Sequence, residues 1–207
     1  MRAFVFGGGE IFPEYIEERP EAGDIVICAD SGYKNAQKMG VKVDILVGDF
    51  DSLGSIPDGV GEVLQVPREK NQTDTQLAVD IAIDRGAEEI IIVASTGGRC
   101  DHALSTMAVL EHLHAKKKIA YIVNGQNRVR YINSTSTLIP RSGYKYLSLL
   151  SLTEKAKGVS VEGCKYPLKN STLKRSFQYA VSNEIVGNCA LISVRRGGIY
   201  IIESIDK

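Results

Sequence analysis

Ile90-Ile91-Ile92-Val93-Ala94, followed by the polar turn Ser95-Thr96-Gly97-Gly98-Arg99-Cys100-Asp101-His102 and then by Leu104, Met107, Ala108, Leu110 and Leu113, is the stretch that decides the fold. Five consecutive apolar residues closed by turn formers read as a strand covered on both faces. The apolar stripe that follows has the 3.6-residue period of a helix with one buried face. Strand, polar turn and helix in that order form the repeating unit of a parallel α/β sheet.

The same unit recurs outward from this point. Strands are expected at residues 3–6, 25–28, 45–47, 63–66, 90–94 and 119–123, and helices at 33–39, 75–85 and 103–115. Beyond Gly125 the period changes. Short segments rich in Tyr, Ser, Thr and Val, at 128–132, 144–151, 156–161, 178–181, 190–195 and 199–203, are separated by Pro140, Gly143, Gly158, Gly163, Pro167 and Gly187. Turn signals every 8–12 residues without a helical stripe indicate an antiparallel β layer structure. The expected fold is an α/β N-terminal domain with a mainly parallel, Rossmann-like sheet over residues 1–124. An all-β, sandwich-like domain over 125–207 follows it.

Composition narrows the function. The 207 residues are 43% hydrophobic and 24% charged, with 25 basic and 25 acidic side chains, so no global field draws the chain to nucleic acid or an anionic membrane. Lys116-Lys117-Lys118 is a basic run at an expected helix end, where cations complement the dipole. No apolar stretch approaches the ~20 residues that span a bilayer, and the start runs from a short strand into glycines rather than a signal sequence. Cys28, Cys100, Cys164 and Cys189 form no C-x-x-C pair and are expected to be reduced, mostly buried thiols of a cytoplasmic protein. His112 and His114 are two apart and cannot chelate together on a helix.

Gly7-Gly8-Gly9 after the first strand invites a dinucleotide fingerprint, but its third glycine would fall on Phe12, and no P-loop motif is present. What remains is a glycine-rich turn open to a nucleotide. Val47-Gly48-Asp49-Phe50-Asp51-Ser52 carries a different signal. Two carboxylates at i and i+2 in a turn can share a hard cation, and Mg2+ combines a few carboxylates with waters and phosphate oxygens. An Asx turn is the plainer use of the same residues. Asp74 and Asp101 stand at expected helix starts, where capping competes with ligand binding as their role. Arg68, Lys70 and Gly97-Gly98-Arg99 supply cations and close-approaching backbone for an anion. All these turns follow strands, on the side where open α/β sheets bind ligands.

In order, Cys28-Ala29-Asp30-Ser31-Gly32, Gly48-Asp49-Phe50-Asp51-Ser52, Lys70-Asn71-Gln72-Thr73-Asp74, Gly97-Gly98-Arg99-Cys100-Asp101-His102 and Ser182-Asn183-Glu184 closely resemble the thiamine pyrophosphokinases, over nearly the whole chain. The resemblance implies transfer of a diphosphate from ATP to the thiamine hydroxyl, giving AMP. It implies Asp49, Asp51 and Asp74 as Mg2+ ligands, with Asp49, Asp74 and Arg99 in catalysis. Asp30, Lys70, Thr73, Arg99 and Asp101 would line the nucleotide site. Ser182 and Asn183 would contact thiamine in the cleft of a homodimer. The expected aromatic platform falls to Tyr166, since the chain has no Trp. Asn71 departs from the acid that similar bacterial sequences often carry there. The rival readings are a metal-dependent nucleotide-sugar transferase, which also uses D-x-D turns, and a non-catalytic nucleotide or metabolite sensor.

Overall fold

A computed structural model describes residues 1–51, 56–67, 69 and 71–206. The chain divides into two compact units, Met1–Gly125 and Gln126–Lys207.

In the first unit six parallel strands lie in the order β4-β3-β2-β1-β5-β6: β1 Arg2–Phe6, β2 Ile25–Ala29, β3 Ile45–Gly48, β4 Glu62–Gln65, β5 Glu89–Val93 and β6 Ile119–Val123. Among the described residues the α-helices between them are α1 Gly32–Lys38, α2 Asp74–Asp84 and α3 Cys100–Ala115. Burial on both faces explains the continuous apolar runs. Phe4, Phe6, Val26, Cys28, Leu46, Ile91 and Val93 share one cluster with Ala36 of α1. The alternate residues Val5, Ile27, Ile90 and Ile92 are fully buried too. On the sheet α2 packs against β1, β2 and β3, while α3 packs against β6. Each large side chain removed from water this way contributes about 1.5–3 kcal/mol. Chain order reverses at β1, which has β2 on one side and β5 on the other.

The second unit has two antiparallel sheets. One contains β7 Asn127–Asn133, β13 Gly198–Ser204 and β9 Tyr146–Ser151, with β13 in the middle. The other orders β11 Leu168–Lys174, β10 Lys155–Glu162, β12 Cys189–Ser193 and β8 Ser136–Pro140. Leu147, Leu149, Ile199 and Ile201 of the first meet Val159, Val161, Ala190 and Ile192 of the second in one shared core. Glu203 is buried on β13 between Arg128 and Arg130 of the neighbouring strand, which compensates its charge.

Three expectations need correction. Residues 178–181 form no regular strand, because the Gln178 side chain takes the place of a backbone partner. Its Oε1 accepts from the Ser151 N–H at 3.2 Å and its Nε2 donates to Ser151 O at 3.1 Å. Two strands went unread, β8 and β11, which are the polar outer strands of their sheet. The cysteines are all free as expected, but only Cys28 and Cys164 are buried. Cys100 opens α3 and Cys189 faces outward in the alternation of β12.

Candidate functional site

The polar turns converge on the carboxyl ends of β3, β2, β1 and β5. Where β1 ends, glycine is required by close approach: a Cβ on Gly7 would fall 2.1 Å from Ser95 Oγ, one on Gly8 2.0 Å from Ser31 Oγ, and one on Gly9 2.5 Å from Thr96 O. These contacts stitch the turn after β1 to the turns after β2 and β5. Asn35, a buried polar residue on α1, holds the same turn. Its Nδ2 donates to Gly7 O at 2.8 Å and to Gly9 O at 3.0 Å.

Backbone strain collects on this rim. Asp30 after β2, Phe50 after β3 and Ala94 after β5 all have φ between +46° and +64°. Non-glycine residues adopt that region at a cost of about 1 kcal/mol or more, and such residues cluster at functional sites.

The acidic turn lies in this strained rim. Asp30 packs against Gly48, where a Cβ would meet Asp30 Cβ at 3.1 Å. Asp49 Oδ1 accepts from the Asp51 N–H at 3.1 Å, an Asx turn that sets the two acids side by side on the exposed rim. Asp74 is the first residue of α2, and the helix is capped by Thr73, whose Oγ1 accepts from the Gln76 N–H at 3.2 Å. The capping role weighed for Asp74 therefore belongs to its neighbour. Among the described residues, no three His, Cys, Asp or Glu side chains enclose a metal position by themselves. Hard oxygen donors nonetheless suit Mg2+, which keeps several waters and needs only one or two carboxylates beside phosphate oxygens. Arg68 and Lys70 lie outside the described residues.

Arg99 and Asp101 form a bidentate pair: Nε donates to Oδ1 at 3.1 Å and Nη2 to Oδ2 at 2.6 Å. Arg99 and the His102 N–H, 2.9 Å from Oδ1, together hold the Asp101 carboxyl at about 2, below the usual range. Both side chains are exposed.

In the second unit Tyr166 and Asn183 line a hollow of about 130 Å³ with Leu147, Leu149, Val161, Leu168, Tyr179, Ala180 and Val181. Asn183 turns its amide on the Tyr166 backbone. Its Oδ1 accepts from the Tyr166 and Glu184 N–H groups, each at 2.9 Å, and its Nδ2 donates to Tyr166 O at 2.7 Å. Ser182, at φ +56°, donates its N–H to Ser148 Oγ at 3.0 Å. Tyr166 is 60% exposed beside the hollow, with Lys165 Nζ 5.7 Å from its ring centre. Phe177 and Tyr179, exposed and 6.1 Å apart, extend this aromatic surface and were not singled out in the sequence.

The family models bear on both units. The model described as the thiamin pyrophosphokinase catalytic domain matches residues 17–123, and that of the vitamin B1 binding domain matches residues 135–199. The chain belongs to the thiamin pyrophosphokinase family. It is 29% identical over 166 residues to the thiamine pyrophosphokinase of Bacillus subtilis (strain 168), covering 77% of each chain. Its fold superposes on the crystal structure of a Bacillus subtilis thiamine pyrophosphokinase with a TM-score of 0.87, covering 100% of both chains at 24% identity. A thiamin pyrophosphokinase family protein from Enterococcus faecalis gives 0.83 at 27% identity, again over 100% of both chains. The catalytic-domain match contains Asp30, Asp49, Asp51, Asp74, Arg99 and Asp101, and the vitamin B1 match contains Tyr166, Ser182 and Asn183.

Proposed function

We propose that this chain is a thiamine diphosphokinase that transfers a diphosphate from ATP to the hydroxyl of thiamine, releasing AMP. The observation that carries this is the strained acidic rim, Asp30 with Asp49 and Asp51, set beside the glycine turns of β1 and β5 within a chain of this family. The fold reads as a Rossmann-like catalytic domain over residues 1–124 and a sandwich-like thiamine domain over 125–207. The exposed aromatic surface at Tyr166, Phe177 and Tyr179 supports a homodimer whose subunits cover it, and four free thiols support a cytoplasmic setting.

In this mechanism Asp49, Asp51 and Asp74 would hold Mg2+, which would neutralise charge on the transferred diphosphate. Arg99 donates to polyphosphate oxygens and stabilises the charge that develops as AMP leaves. Thr73 retains its hydroxyl proton for a phosphate oxygen while its oxygen caps α2. Asp74 or Asp49 accepts the proton of the thiamine hydroxyl, a contribution typically of about 10²–10⁴-fold. Tyr166 stacks on the thiamine ring system and Asn183 fixes the Tyr166 backbone.

One incubation with ATP, Mg2+ and thiamine tests the reading, with AMP and thiamine diphosphate expected in equal amounts. A nucleoside diphosphate product would support sugar transfer instead, and ATP binding without turnover would support a sensor. Asp51→Asn should abolish Mg2+-dependent activity, while Asp58→Asn, in another exposed loop position, should not. Equal loss in both variants would remove the metal assignment.

A further inference from the structure

The chain leaving β1 crosses the tips of β5 and β6 as a strap. Gly9 N–H donates to Ala94 O at 2.6 Å, Glu10 N–H to Thr96 O at 2.9 Å and Phe12 N–H to Asn124 O at 2.8 Å. The strap thus overlies the place where strand order reverses, the usual ligand crevice of an open α/β sheet. It carries one ionisable side chain, Glu10, directly over the Gly97-Gly98 turn. A Cβ on Gly97 would lie 2.7 Å from Glu10 Cγ and 2.8 Å from its Oε2, and Gly97 has φ +85°. Glu10 stays exposed to solvent while its carboxylate rests on this turn. In the same turn the Thr96 hydroxyl oxygen is buried without a hydrogen-bond partner among the described residues. An unsatisfied buried hydroxyl calls for an explanation, and a bound ligand supplies one.

We propose that Glu10 reads the ribose of the nucleotide, its carboxylate accepting from the sugar hydroxyls while Thr96 lends a second polar contact. This rests on the diphosphokinase reading above. Among the parts of ATP, phosphate is repelled by a carboxylate. The adenine amine offers one donor position, whereas the vicinal ribose hydroxyls match the two carboxylate oxygens together. Arg99 lies two residues beyond Gly97, so a polyphosphate on Arg99 leaves the adjoining sugar beside Glu10. Glutamate acts here as a specificity residue rather than a catalytic one.

The test measures kcat/KM of the full chain for ATP, 2′-deoxy-ATP, 3′-deoxy-ATP and GTP, with thiamine fixed. Wild type, Glu10→Gln and Glu10→Ala are compared after thermal melts show that each folds. A charge-assisted hydrogen bond leads us to expect wild type to prefer ATP over at least one deoxy analogue by about 10- to 100-fold. Glu10→Ala should shrink that preference to about 3-fold or less through KM for the nucleotide, with KM for thiamine unmoved and Glu10→Gln in between. The proposal falls if wild type does not discriminate or if Glu10→Ala keeps the wild-type sugar preference. It falls equally if ATP against GTP changes instead. If wild type makes no AMP at all, the diphosphokinase reading fails separately. The same four nucleotides in a calorimetric binding assay then still decide the role of Glu10 by the same ratios.

Discussion

Replacing Asn35 by Leu removes the amide clamp on the glycine turn, and the structure sets the size of the effect. Leu keeps the branched outline of Asn but is bulkier at this buried site, so some overpacking adds to the loss of both donor protons. The bond to Gly7 O is wholly buried and the bond to Gly9 O partly so. A buried carbonyl left unpaired costs about 1–3 kcal/mol, which puts the loss at about 2–4 kcal/mol, with the fully buried Gly7 carbonyl contributing most. For a chain of this size that lowers Tm by roughly 5–15 °C. Urea unfolding followed by far-ultraviolet circular dichroism measures it directly. Because the turn carries the strap of Glu10, KM for ATP should rise while KM for thiamine stays constant. Asn35→Asp sharpens the result. Its carboxylate would face two carbonyl oxygens, and only the protonated form can donate to one of them, so its folded pKa is raised. The stability of that variant should therefore grow as pH falls towards 4 and shrink as pH rises. A midpoint for Asn35→Leu within about 0.5 kcal/mol of wild type would refute the clamp.

The remaining tests are narrower. Asp101 should titrate near 2 by carboxyl NMR, and Arg99→Gln should return it towards 3.8; an unmoved midpoint would break the pair. Because the folded carboxyl is depressed, whatever stability the pair contributes is present above pH 4 and lost as pH falls towards 2. Gly97→Ala, strained at φ +85° and crowding Glu10, should destabilise by about 1–2 kcal/mol, and Glu10→Ala should relieve part of it; strict additivity would contradict the contact. Asn183→Ala should raise KM for thiamine several-fold and leave KM for ATP alone, because it frees the Tyr166 backbone; equal effects on both substrates would argue against that role.

The first unit was legible because strands buried on both faces need unbroken apolar runs, and Ile90 to Ala94 could be little else. The β11 sequence Leu168-Lys169-Asn170-Ser171-Thr172-Leu173-Lys174 gave no such signal. It is an outer strand, where lysine and polar residues protect the unpaired edge, so polarity concealed the element it serves. Helix starts blurred for a related reason. Asp101 looked like a residue preceding a helix, yet α3 begins at Cys100 with Arg99 as its cap residue and no side-chain cap bond. The acids of the rim were readable from type and order. Asn35 and Glu10 were not, since a buried amide on a seven-residue helix and a glutamate in a loop look ordinary until the chain brings them to one turn.

The Arg99–Asp101 pair bears on the anion-binding role proposed for this turn. Asp101 was expected to line the nucleotide site, and a carboxylate fixed there opposes a phosphate unless it does something else. It occupies Nε and one proton of Nη2, and the two protons of Nη1 and the second of Nη2 remain. Both side chains are exposed, where solvent screens the pair, so a polyphosphate with several charges would compete for the guanidinium at little cost. What Asp101 supplies is orientation. On the proposed role of Arg99, holding one edge of the planar fork would leave the other edge for a phosphate and reduce the rotamer freedom that phosphate would otherwise have to freeze. In that role the aspartate would aim the arginine, and the charge it brings would be the cost of the alignment.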